Sequence, residues 1–364
     1  MKLILFFTRG VSLQTWNEIG MFEREVALYK SLGNQGVDVQ FITYGKREDL
    51  HLASRIGKIS LRCNTWNMPI NWYERILEWV PPKGNIFKSN QMAGSEVAMV
   101  AASHAGARFI ARCGYWYADF NERHYGFDSL HAIEARALER RVFARANQIV
   151  VTTSRIKESL IERYKLPDGK LKVIPNYVET NIFRPQEKVK NSRPRIVFVG
   201  RLAAKKNLFA LISALSEADA ELVLIGDGPL RKDLEVAAQN SKSQVTFLGN
   251  VPNHDLPSLL NKSDVFVLPS LHEGQPKTLQ EAMSCGLAVL GGSVPGITEL
   301  INDGINGLLC EPSVEGIRAG LQKLISDDQL RTQLEQSARH FIEEHFSLGR
   351  VLEMELAMLQ ELAD

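Results

Sequence analysis

Cysteine is scarce: four in 364 residues, Cys63, Cys113, Cys285 and Cys310, widely dispersed. No Cys-x-x-Cys pair and no histidine at zinc spacing accompanies them. That excludes a disulfide-stapled scaffold and a zinc ribbon, and free thiols in a reducing cytoplasm are the expectation. Long hydrophobic runs are missing too. The opening Met1-Lys-Leu-Ile-Leu-Phe-Phe-Thr-Arg-Gly10 has an apolar run too short for a signal peptide or a membrane span, and it reads as a buried strand. Neither sign of charge dominates, with 43 Lys+Arg against 42 Asp+Glu. That balance argues against a dedicated nucleic-acid binder. No Asp-x-Asp triplet occurs that would hold a divalent metal on a diphosphate, and Gly-x-Gly-x-x-Gly follows the first strand of neither half, which disfavours a dinucleotide dehydrogenase.

What is present is ordinary soluble composition, 45% hydrophobic and 23% charged, in a chain long enough for two cores. Strand-like runs over 3–7, 37–43, 85–89, 107–112, 148–153 and 171–178 alternate with helical patterns over 18–32, 91–105, 131–146 and 154–164. This is the βαβ pattern of a parallel sheet. A polar, breaker-rich stretch over 186–194 reads as a linker. A second series follows, with strands over 195–200, 221–226, 244–249, 264–268, 287–291 and 307–310, and an amphipathic helical tail from Gln329 that breaks near Ser347. The expected fold class is therefore α/β, with two Rossmann-like doubly wound domains. Residues 1–182 form the first, helped by a final helix over 347–364 that packs back on it, and 183–346 form the second.

Several stretches admit more than one reading. Gly10, in the turn after the first strand, is either a plain loop glycine or a point where backbone approaches a ligand. Trp66, Trp72 and Trp79 flank Tyr73, Ile76 and Leu77 at helical spacing. A helix packing its apolar stripe on the sheet is preferred over one that covers a binding groove or touches a membrane, because anionic lipid would repel Glu74 and Glu78. In Arg112-Cys-Gly-Tyr115-Trp116, at a strand's carboxyl end, the aromatic faces would stack on sugar rings or simply pack. Arg136, Arg140, Arg141 and Arg145 give the helix over 131–146 a basic face, most simply a solvated one, with lipid or a polyanion as the other reading.

Two stretches carry the chemistry. Gly200-Arg201-Leu-Ala-Ala-Lys205-Lys206 closes the first strand of the second domain, and cations at such a turn can neutralise a departing diphosphate. Further on, Asp264-Val-Phe-Val-Leu268 runs through a Pro/Gly-bearing turn into a short helix ending near Gly286. There Pro276 suits a first helical position, and free N–H groups of the first turn form an anion site. Glu273 precedes this helix and Glu281 lies eight residues on.

Gly-Arg-Leu-x-x-x-Lys, Ile174-Pro-Asn-Tyr-Val178, Ile225-Gly-Asp-Gly-Pro229, Phe247-Leu-Gly249 and Glu273-x7-Glu281 together resemble, in order and spacing, the retaining family-4 glycosyltransferases of the GT-B architecture. The likeness runs from about Ala144 to Pro312. It implies two Rossmann-like domains facing a cleft and an enzyme that takes a nucleotide sugar as donor and a saccharide or lipid-linked acceptor. It further implies no cofactor and no metal, since Arg201 and Lys206 would hold the diphosphate. Carried over by position, Glu281 would meet the ribose hydroxyls and Glu273 the donor sugar. Gly200, Gly274, Gln275, Pro276, Lys277, Thr278 and Leu279 would form the donor cradle, Asn250 and Val251 would sit by the base, and Asp227 and Gly228 would line the same edge. Arg112, Tyr115 and Trp116 would lie on the acceptor side, where many relatives have a histidine and this chain has none. Family habit points to cell-surface polysaccharide or lipopolysaccharide assembly in the cytoplasm, with peripheral contact on the inner membrane. A nucleotide-sugar epimerase or hydrolase of the same architecture, and a non-catalytic sugar-nucleotide-binding partner, are the alternatives.

Overall fold

Short runs of β-branched and aromatic residues, each followed by a helical stretch, form parallel strands in the computed structural model, which describes residues 1–187, 191–239 and 241–363. The strands are β1 Lys2–Phe6, β2 Asp38–Ile42, β3 Ser60–Arg62, β4 Ile86–Ser89, β5 Arg108–Cys113, β6 Gln148–Val151 and β7 Leu171–Val173. They continue with β8 Arg195–Val199, β9 Glu221–Ile225, β10 Gln244–Gly249, β11 Val265–Leu268, β12 Ala288–Gly292 and β13 Leu308–Cys310. Two compact units result, one of Met1–Pro175 with Val351–Asp364 and one of Asn176–Arg350. The middle of the expected linker, 188–190, lies outside the described residues.

In the first unit the sheet order is β3-β2-β1-β4-β5-β6-β7, every pair parallel. Side chains alternate across a strand, so Ile4 and Phe6 join one core with Tyr73, Leu77, Phe87 and Phe143, while Leu3 and Leu5, equally buried, point to the opposite face. The helix expected over 18–32 is two helices, Leu13–Glu18 and Phe22–Asn34. The first starts early because the Ser12 hydroxyl accepts from Thr15 N and Thr15 Oγ1 caps Ser12 N in return, a capping box that outweighs the weak apolar pattern there. The helix expected from 91 begins at Ser95, and the strand expected over 171–178 stops at Val173.

Helix Leu348–Ala363 completes this unit. Its Met358 and Leu359 are buried, and Glu355 forms an ion pair of 2.5 Å with Lys88 on β4, both side chains almost wholly out of water. Burial holds the Lys88 ammonium below its ordinary value, against the pull of Glu355. Two charges survive in such a place only together.

The second unit repeats the architecture with order β10-β9-β8-β11-β12-β13, again parallel throughout. Helix Lys277–Ser284 follows β11 and is held at its carboxyl end by Arg339, whose Nη1 donates to Ser284 O at 2.6 Å and Phe183 O at 2.7 Å. A cation on the last carbonyls satisfies acceptors the helix leaves over and meets the negative end of its dipole. That fixes the direction in which the opposite, amino end points.

Candidate functional site

The second sheet's carboxyl edge is assembled from backbone before any side chain takes part. Gly200 N donates to Ile225 O, Gly226 N to Gly249 O and Leu202 N to Asp227 O, so the turns after β8, β9 and β10 are laced into one rim. The spacing tolerates no side chain at Gly226, where a Cβ would stand 2.1 Å from Gly200 O. Gly296, at φ +83°, lies against the loop before helix Lys277–Ser284; a Cβ there would come within 1.8 Å of Gly274 O. The rim and the loop beside it are thus set by two glycines on different elements.

On this rim Lys206, in the turn Ala204–Lys206, forms an ion pair with Glu273 in which the two side chains are 10% and 8% exposed. Glu273 Oε1 also accepts from the hydroxyl of Ser270 at 2.8 Å, and Leu271 N donates to Lys205 O at 2.9 Å, tying the two loops together. Arg201 is exposed beside them. Burial holds the Lys205 ammonium below its ordinary value; Glu273 opposes this, and Lys206 and Arg201 add to it. Three cations crowd one turn. Such a cluster gains most from an anion bearing more than one charge.

Helix Lys277–Ser284 has no side-chain cap at its amino end, and Pro276 is its N-cap rather than its first helical residue, as the sequence suggested. No acidic residue occupies the first turn, so the positive end of the helix dipole has no carboxylate of its own turn to meet it. Gln275 is turned toward Asn176, whose backbone N donates to its Oε1 and whose Nδ2 donates to Gln275 O at 3.0 Å. Lys277 Nζ lies 5.9 Å from the Tyr177 ring. Glu281 is only 2% exposed, and its Oε1 accepts from Asn253 Nδ2 at 3.0 Å. Asn250 and Asp227 are exposed; Asp227 caps Gly228 N at 2.7 Å and pairs with Arg231 at 3.5 Å. Val251 is half-buried against the core.

The remaining candidates belong to the first unit. Gly10 is an exposed turn residue with nothing near its missing side chain. Arg112 donates to Asn90 O at 3.3 Å. Tyr115 packs edge-on against Phe120 and Tyr117, and burial pushes its phenol up to about 12. Trp116 lies 5.3 Å below the Arg163 guanidinium. Both aromatics are engaged in packing within the unit. Sequence reasoning missed Ser270, Asn253 and Asn176 as partners of the glutamates and of Gln275, since isolated polar residues in loops carry no periodic signal.

A family model described as "Glycosyltransferase Family 4" matches residues 26–182, and one described as "Glycosyl transferases group 1" matches 179–341. An uncharacterised glycosyltransferase of Methanocaldococcus jannaschii is 29% identical over 261 residues, covering 66% of this chain and 64% of that protein. A UDP-Gal:alpha-D-GlcNAc-diphosphoundecaprenol alpha-1,3-galactosyltransferase of Escherichia coli is 32% identical over 214 residues, covering 53% and 54%. The chain therefore aligns with less than two thirds of the length of either. Among solved structures, an Anabaena protein in complex with UDP and glucose superposes with a TM-score of 0.79 at 17% identity, over 99% of both chains, which speaks to the fold.

Proposed function

Because the chain belongs to the glycosyltransferases of group 1 and family 4, we propose that it moves a sugar, with retention of configuration, from a nucleoside-diphosphate donor to a saccharide or lipid-linked acceptor. The observation that carries this reading is the Lys206–Glu273–Ser270 cluster with exposed Arg201 beside it, at the carboxyl edge of a doubly wound sheet. In the proposed reaction the acceptor hydroxyl forms a bond to the anomeric carbon as the bond to the diphosphate breaks. The hydroxyl proton passes to a leaving phosphate oxygen. Arg201, Lys206 and the N–H groups at the head of helix Lys277–Ser284 neutralise the growing charge, so that no metal is required. Glu273 holds the sugar, Glu281 the ribose with Asn253 fixing its carboxylate, and Asn250 and Val251 flank the base.

The E. coli relative's name describes a diphosphoundecaprenol-linked acceptor, which supports a lipid-linked saccharide in cell-surface polysaccharide assembly for this chain also. The test is release of nucleoside diphosphate with and without acceptor saccharides. Arg201→Ala, Lys206→Ala and Glu273→Gln should each lower turnover on the order of 100- to 1,000-fold with the fold intact. Donor consumption that ignores acceptors would instead indicate an epimerase or hydrolase, and wild-type rates in these variants would defeat the assignment.

A further inference from the structure

The donor loop is gripped by residues to which the reaction gives no part. The chain enters the second unit at Asn176, and the stretch that follows runs along helix Lys277–Ser284 from head to tail. At the tail Ser284 Oγ donates to Phe183 O at 2.6 Å, and Arg339 donates to the carbonyls of Thr180 and Phe183. At the head the contacts fall to Asn176. Its backbone N donates to Gln275 Oε1 at 2.5 Å, its Nδ2 donates to Gln275 O at 3.0 Å, and its own carbonyl accepts from Gln280 Nε2 at 3.4 Å. The ring of Tyr177, the next residue, lies 5.9 Å from Lys277 Nζ, so the same stretch also meets the first side chain of the helix.

The head of this helix has little of its own to hold it. No side chain caps it, and its N-cap Pro276 has φ fixed by the ring and no N–H to give. The residues on either side of Pro276 therefore decide where the head points. Toward the rim, Glu273 is tied to Lys206 and Ser270. Beside the proline, Gln275 is tied to Asn176, and Gln280, at the end of the first turn, is tied to the same residue. Asn176 is 8% exposed and Gln280 fully buried, so water does not replace a bond lost there, and each amide keeps the others in place. One asparagine thus locks the loop to the helix it leads into.

We propose that Asn176 is the positioning residue of the donor loop: through Gln275 and Gln280 it sets the angle at which helix Lys277–Ser284 offers its amino end to the diphosphate. This rests on the donor reading above and adds to it a residue that acts through the groups assigned to the donor. A misplacement of about 1 Å at such a site can cost on the order of 100-fold. Losing one member of the clamp while the Glu273 side holds should cost less, about tenfold. The coupling is reciprocal. If the clamp favours the loop geometry that takes a diphosphate, a bound diphosphate tightens the clamp, and the Asn176 N–H on Gln275 is where that shows.

The experiment combines titration calorimetry and amide hydrogen exchange on the full chain, with UDP, GDP and ADP as probes. A nucleotide that binds the wild-type chain should slow exchange at the Asn176 amide about tenfold, and Gln275→Leu, which removes the acceptor of that N–H, should abolish the protection even at saturating nucleotide. Asn176→Ala should raise the Kd about tenfold at unchanged stoichiometry and unchanged circular dichroism. A role in folding alone would remove binding sites and leave the Kd of the remainder as it was. Asn176→Ala/Gln275→Leu should be no weaker than the worse single variant, because the two residues act as one unit. A bound nucleotide that leaves exchange at Asn176 unchanged, a wild-type Kd in Asn176→Ala, or losses that multiply in the double variant would overturn the proposal and leave the donor reading standing. A wild-type chain that binds none of the three nucleotides would instead fell the donor reading, and the clamp's role with it.

Discussion

Lys206 and Glu273 are each other's partner, yet each is assigned a different part of the donor. The ion pair keeps both side chains ordered on the rim, and Ser270 adds a second bond to the carboxylate. Ser270→Ala should therefore leave the pair in place but loosen Glu273, lowering turnover by about tenfold while nucleotide affinity holds, checked by steady-state kinetics beside UDP titration. The four thiols make a second residue-scale prediction. Burial pushes Cys63 and Cys310 up to about 11 and Cys285 to about 12, with Cys113 also raised well above the ordinary 9.0. The unfolded chain thus loses thiol protons first as pH rises past about 9, and stability falls from there toward pH 11–12. At pH 8 a disulfide reagent should find none of the four in the native chain and all four in denaturant. The meeting of Lys206 and Glu273 on one rim was legible in the sequence because their spacing to strand ends is local; Ser270 and Asn253 were not, because a lone polar loop residue has no pattern.

Helices and strands were read well where one periodicity held over the whole element. Helix Ile70–Trp79 shows how that reading falls short: Tyr73 and Leu77 do pack, but the tryptophans supplying most of the apolar signal face water, and Glu74 faces in to meet Arg9. A stripe names a helix face without saying which of its two edges is covered. Strand β4 shows the complementary case. Its Lys88 sits mid-strand in an otherwise buried row, and the carboxylate that makes this tolerable comes from helix Leu348–Ala363, 267 residues away. Lys88→Met alone leaves Glu355 buried and unpaired, and should cost about 3–5 kcal/mol in urea unfolding. Lys88→Met/Glu355→Leu removes both charges and should recover most of that loss. A double variant no more stable than the single one would show that packing, rather than charge, is the reason.

Two repeated βα series were the clearest message of the whole chain, and both sheets are parallel throughout as that alternation implies. Less clear was where one unit stops: residues 176–182 carry no composition shift, yet Asn176 is bonded to Gln275 and Val178 bridges Ser347 inside the second unit. Two separate cores predict heat unfolding that departs from a single two-state transition. In calorimetry UDP should raise the transition of the second unit by an amount that grows with ligand concentration, and leave the other in place.

The first unit is written in two instalments, with the whole second unit between its sheet and its closing helix. During translation its sheet waits, holding Lys88 without its partner, until helix Leu348–Ala363 has been made and has left the exit tunnel. A message cut before that helix would yield a product whose Lys88 lacks Glu355, visible to proteases although the rim around Lys206 and Glu273 is complete.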